Sequence, residues 1–171
     1  LQHRGIATLL FDLLLAVEED DRSKVFDIAL LSERLLHALE WIDLQRELRE
    51  LPLGLFGAST GAAAALVTAA RSPKVGAVVS RGGRPDLADT ALPLVTSPTL
   101  LIVGGADDGV IELNEGAYEQ LAGPRRLAIV PGATHLFPEP GALEQVIDLA
   151  GDWFIQHLAH TRTDHGPQGA R

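Results

Sequence analysis

Leu53-Gly-Leu-Phe-Gly57-Ala-Ser59-Thr-Gly61-Ala-Ala-Ala-Ala-Leu66 joins a short apolar run to an alanine-rich one through Gly-x-Ser-x-Gly. A strand that ends in this pentapeptide and passes at once into a helix is the pattern of a nucleophile elbow, a strained turn that exposes the serine hydroxyl. The expected reason for Gly57 and Gly61 is steric, because the turn leaves little room for side chains two residues from the serine. Ala62 to Ala65 would let the following helix approach a sheet closely. The amide of Thr60, at the helix start, would point to where an oxyanion develops. The plainer reading of the same residues is a tight strand–helix connection with a solvated serine.

The flanking segments alternate in the same way. Ile6-Ala-Thr-Leu-Leu-Phe11 reads as a buried strand. A helix is predicted from about Phe26, with Ile28, Leu31, Leu35, Leu39 and Ile42 on one face. Val75–Ser80, Pro98–Val103 and Arg126–Val130 read as strands. Leu87 to Val95 is a weak helical or irregular segment in the position of a lid. Ile111 to Ala122 reads as a helix, with Gly123-Pro124 as its stop. A last helix carries Leu143, Val146, Ile147, Ala150, Phe154 and Leu158 on one face. The fold class expected is therefore α/β, a mostly parallel sheet with helices on both faces. Residues 1–160 should form a single domain, followed by a polar tail over 161–171.

Ligand sites in such sheets lie beyond the carboxyl ends of the strands. Ser59, Asp107 and His135 each follow a predicted strand, and their order is the serine–acid–histidine order of the α/β-hydrolase fold. A serine hydroxyl needs a base within hydrogen-bond reach, and the base needs a carboxylate to set its tautomer. His135 and Asp107 are the candidates for those roles. Asp107 could equally be a turn residue, and Asp108 is its neighbouring rival, expected to face solvent or cap a helix. Arg81 and Arg84, in the loop Arg81-Gly-Gly-Arg84-Pro-Asp86, are candidate grips for a substrate carboxylate or phosphate. Their alternative is an ion pair with Asp86, Asp12 or Asp107.

Composition narrows the partners. The 171 residues are 46% hydrophobic and 22% charged, with a net charge of -9. An acidic protein of this kind is not expected to bind nucleic acid or an anionic membrane surface. The absence of cysteine removes disulfides, thiolate catalysis and cysteine-ligated metals; no metal and no cofactor are expected. No apolar run approaches the roughly 20 residues of a membrane span. The opening residues do not read as a signal peptide, and a cytoplasmic protein is expected. A nucleotide-binding domain is disfavoured, since neither Gly-Lys-Ser/Thr nor Gly-x-Gly-x-x-Gly is present. The remaining alternative is a catalytically silent domain that serves as an interaction or folding partner.

Gly57-Ala-Ser-Thr-Gly61, Ser80-Arg-Gly-Gly-Arg-Pro-Asp-Leu87, Leu100-Leu-Ile-Val-Gly-Gly105 with Asp107, and Val130-Pro-Gly-Ala-Thr-His-Leu-Phe137 carry a family likeness. From about residue 5 to about residue 158 the chain resembles the dienelactone-hydrolase-like branch of the α/β-hydrolases. The resemblance implies a hydrolase of a small ester-like molecule, with nucleophile, acid and base on Ser59, Asp107 and His135. Some proteins of this kind are encoded as a domain that follows a phosphoribosyltransferase, which makes such an upstream domain a candidate partner. The namesake enzyme has a cysteine nucleophile where this chain has Ser59. The resemblance also implies an earlier strand between Ile6–Phe11 and the elbow strand, with a second oxyanion donor in the loop after it. Together with the lack of any methionine, this leads to the expectation that an upstream piece belongs to the domain. Without that strand, the segment at Ile6–Phe11 is expected to slide to the elbow strand, to detach, or to leave a slot for another chain.

Overall fold

A computed structural model describes residues 1–158; the predicted polar tail lies outside the described residues. The elements run α1 (Arg22–Val25), α2 (Ile28–Leu44), β1 (Leu53–Ala58), α3 (Thr60–Arg71), β2 (Val75–Arg81), β3 (Thr99–Gly104), α4 (Asp108–Gln120), β4 (Arg125–Val130) and α5 (Ala142–Leu158). A 3₁₀ stretch, Pro85–Leu94, connects β2 to β3. The strands form one parallel sheet in the order β1-β2-β3-β4, the expected α/β class. Because every strand is parallel, the connections all cross from one end of the sheet to the other. The carboxyl ends therefore share an edge.

Alternation along the strands divides the core between two faces. Leu55, Val75, Val78 and Leu101 pack with Leu39 of α2, Ala63, Ala65, Leu66 and Ala69 of α3, and Ala117 of α4. Ala77, Val79, Leu100, Ile102, Ala128 and Val130 pack on the opposite side with Val146, Ala150, Trp153 and Phe154 of α5. The alanine run behaves as its composition suggests: Ala62 to Ala65 are all buried, which sets α3 tightly on the sheet. Among the described residues, no helix is long and apolar enough to cross a membrane.

Several expectations are corrected. Ile6–Phe11 is not a strand; it runs as irregular chain, with Leu10 96% exposed. Of the three outcomes expected for it, detachment is the one seen. Its apolar pattern favours burial, but a strand exists only through a partner's backbone, and neither sheet edge takes this segment up. The segment from Leu87 to Val95 is no lid, since Ala88, Leu92 and Val95 are buried in the core with α3 and α4. On α5 the buried face is Ala142, Val146, Ala150, Gly151, Trp153 and Phe154, whereas Leu143 and Ile147 are exposed. The contact face combines the small Ala142, Ala150 and Gly151 with the larger Val146, Trp153 and Phe154, while Leu143 and Ile147 lie outside it.

Candidate active site

Ser59 occupies the turn between β1 and α3 with φ 49° and ψ −125°, a conformation that L-residues rarely adopt. Strain of this kind persists only where the surroundings enforce it, and it clusters at functional sites. Gly57 shows part of the enforcement. A Cβ on it would lie 2.6 Å from the Gly61 carbonyl carbon and 2.7 Å from Ala62 Cα, so the strand end lies against the first turn of α3. Gly61 differs from expectation, because a Cβ there would meet nothing within 4 Å. Only Gly57 is required by packing within these residues.

Helix caps separate the candidate residues from their ordinary counterparts. Asp21 accepts from Ser23 N–H and Asp27 from Leu30 N–H, each capping its own helix, the usual use of a short polar side chain there. Ser59 and Asp107 hold the same positions at the starts of α3 and α4, yet neither side chain makes a cap bond. The Asp107 carboxylate instead accepts from the His135 ring, Oδ2 to Nδ1 at 2.7 Å. Asp107 is thus more than a turn residue. Asp108, in the first turn of α4, is exposed as expected. The Ser59 hydroxyl is half-buried and forms no hydrogen bond among the described residues. The fold thus joins Asp107 to His135 and leaves Ser59 unbonded to either, on the same edge of the sheet.

The His135 loop is held from two directions. Gly105 N–H donates to Val130 C=O at 2.8 Å and Ala106 N–H to Ala133 C=O at 2.9 Å, which ties the Asp107 loop to it. Thr134 donates to Glu139 Oε1 from both its amide and its hydroxyl, at 3.1 and 2.7 Å. The Thr134 hydroxyl bond is the main reason that the Glu139 carboxyl is held below the ordinary glutamate range. His135 itself is 42% exposed, so one side of the ring is open to an incoming molecule.

Thr60 is the first residue of α3, and an amide at that position has no partner within its helix. The two arginines separate. Arg84 is engaged with Asp86 through Nε and Nη2 at 2.8 and 2.7 Å, the ion-pair alternative. Arg81 pairs with no carboxylate among the described residues. Its Nη1 donates to Leu136 C=O at 3.5 Å, and its guanidinium lies 5.7 Å from the Phe137 ring centre. Sequence reasoning did not single out Asn114, a wholly buried side chain on α4 whose Nδ2 donates to Gly83 C=O at 3.1 Å and Val110 C=O at 2.8 Å. The signal was present: a lone amide three residues before Ala117, on the stripe that continues to Leu121.

No protein-family profile matches the chain. Two Mycobacterium tuberculosis proteins, from strains CDC 1551 and H37Rv and provisionally named phosphoribosyl transferases, are each 58% identical to it over 167 residues. The match takes in 96% of this chain but only 37% of theirs. The crystal structure of dienelactone hydrolase from Anabaena variabilis is 56% identical and superposes with a TM-score of 0.87, covering 92% of this chain and 75% of that one. Est1E from Butyrivibrio proteoclasticus, 15% identical with a TM-score of 0.66 over 77% of this chain and 71% of its own, shares the fold. With more than half of its residues identical to the Anabaena protein and the sheet superposed, the chain belongs to the dienelactone hydrolase family of the α/β-hydrolases.

Proposed function

We propose that this chain is a serine hydrolase of small esters, thioesters or lactones, acting through an acyl-enzyme. The observation that carries the reading is the 2.7 Å Asp107–His135 bond on the same sheet edge as the strained, uncapped Ser59. A carboxylate on Nδ1 favours the tautomer with hydrogen on Nδ1 and a free acceptor at Nε2. In the reaction, Ser59 Oγ attacks the acyl carbon as its proton passes to His135 Nε2. The Thr60 N–H stabilises the oxyanion, and the imidazolium returns the proton to the departing oxygen or sulfur. Water then repeats the sequence on the acyl-enzyme and frees Ser59. Catalytic hydrogen bonds are often loose before substrate binds and tighten in the complex, which accounts for a serine not yet bonded to its base.

Among the described residues Arg81 has no carboxylate partner, and it lies near the His135 loop, which suits it to a substrate with a negative group. Arg84 already has Asp86 and serves the loop. The transferase name of the Mycobacterium tuberculosis relatives is assigned, within this proposal, to the part of those proteins that the chain does not match. A phosphoribosyltransferase domain in the same polypeptide is then a partner of the hydrolase, in a cytoplasmic setting.

The test is covalent labelling with a fluorophosphonate probe, wild type beside Ser59→Ala. Labelling of Ser59 is expected in the wild type, with none in the variant. An unlabelled Ser59, or labelling of Ser80 or Ser97 instead, would overturn the proposal and leave a domain that folds as a hydrolase without acting as one.

A further inference from the structure

Asn114 is an expensive residue for its place. It is fully buried on α4, where a leucine would favour both the helix and the core, and its Oδ1 has no partner among the described residues. What the amide provides is Nδ2, which donates to the carbonyl of Gly83, 31 residues away in sequence. Gly83 lies in the loop after β2, pressed so closely against Ser80 and Ala62 that a Cβ would fall 2.6 Å from Ala62 Cβ. The next residue, Arg84, donates its backbone N–H to the Ser59 carbonyl at 3.1 Å. That carbonyl also accepts from Ala62 N–H at 3.1 Å.

The Ser59 carbonyl and the Thr60 N–H belong to one peptide unit. A trans peptide is planar, so whatever holds the carbonyl also sets the direction of the amide. We propose that Asn114 is a positioning residue for the oxyanion donor, acting through Gly83, the Arg84 N–H and the Ser59 carbonyl to aim the Thr60 N–H. This rests on the reading of the chain as a serine hydrolase. The relay starts on α4, the helix that Asp107 immediately precedes as its N-cap residue, so that helix and its cap would orient the base through Asp107 and the oxyanion donor through the buried amide of Asn114. The same loop reaches the His135 side as well. Gly82 N–H donates to Ile102 C=O at 2.8 Å, and a Cβ on Gly82 would lie 3.0 Å from the His135 carbonyl oxygen.

The experiment measures p-nitrophenyl acetate hydrolysis per fluorophosphonate-titrated site in wild type, Asn114→Leu and Asn114→Ser. Serine is too short to bridge to Gly83 and can bond back to Val110, which lets the helix form without the cross-link. Loss of a whole oxyanion donor costs about 10²–10³ in kcat. A misdirected donor should cost roughly tenfold or more, with KM little changed and the pH midpoint of the rate unmoved. A merely structural role would lower Tm or the fraction of titratable sites and leave the rate per site intact, which would overturn the proposal. Hydrogen exchange on the wild type is a second measurement independent of variant folding: the Arg84 amide must be protected, and free exchange there would also overturn it. Wild type that fails to label at Ser59 would refute the hydrolase reading itself. Wild type that labels while both variants keep wild-type kcat would refute only the role of Asn114.

Discussion

The carbonyl of Ala133 occupies the place where a side chain on Gly104 would begin, so the end of β3 and the loop bearing His135 touch backbone to backbone. Gly104→Ala must push that loop away, and overpacking of this kind costs about 1–3 kcal/mol. A fall in Tm of roughly 2–4 °C per kcal/mol is expected for a domain of this size, together with a lower rate per titrated site. Gly57→Ala should behave alike. Gly61→Ala should not lower Tm, since its Cβ meets nothing and alanine is the better helix former by about 1 kcal/mol. Thermal melts of the three variants check the contrast.

Asp107 and Asp108 should separate cleanly. Asp107→Asn keeps the shape but offers the imidazole the wrong partner, a change that costs about 10⁴ in kcat in the serine-protease template. Asp108→Asn, at an exposed position, should change kcat by less than about twofold. A damaging Asp108→Asn beside a mild Asp107→Asn would move the acid to the other carboxylate.

Arg81→Gln should raise KM for an activated ester that carries a carboxylate by about tenfold or more, the worth of a charge-assisted hydrogen bond. It should leave a neutral ester of similar size nearly unchanged. Arg84→Gln breaks the bidentate pair with Asp86 and should lower Tm without discriminating between the two esters. Paired kinetics on both esters decide it.

The segment before α1 should loosen in acid. Glu18 accepts from Arg34 through both oxygens at 2.6 and 3.0 Å, from Leu15 N–H at 3.0 Å and from Lys24 at 3.0 Å. The Arg34 bonds above all hold its carboxyl far below the ordinary glutamate range. A depressed folded-state pKa contributes stability above the unfolded value of about 4.3, and that stability is lost as pH falls below it. Protease cleavage within residues 13–18 should therefore quicken below that pH. Glu18→Gln should cleave readily at neutral pH and show little further change in acid.

Where the sequence was informative, the signal was local. Gly-x-Ser-x-Gly after an apolar run and before four alanines contains its own strand, turn and helix, and Asp107 and His135 follow strands that end in apolar runs, Leu100–Val103 and Leu127–Val130. Ile6–Phe11 has the same apolar pattern but is not a strand, because pairing depends on an available edge and no run of residues encodes one. Gly61 looked as constrained as Gly57, yet which glycine faces a neighbour depends on the direction of approach of α3. Asn114 escaped notice for a similar reason: its partner lies in a loop distant in sequence, and its worth appears only once Gly83 is seen beneath it.

The division of the core between two faces has a consequence for biosynthesis. As the chain leaves the ribosome, α2, α3, the 3₁₀ stretch and α4 are available to cover one face of the sheet while its strands are still being made. The opposite face, with Ala77, Val79, Leu100, Ile102, Ala128 and Val130, waits for α5. At translation rates of about 5–20 residues per second, the stretch from Val130 to Phe154 takes on the order of a few seconds. During that interval the nascent sheet presents a sticky apolar face, and a stall or cleavage before Trp153 would leave it open to aggregation or to a chaperone.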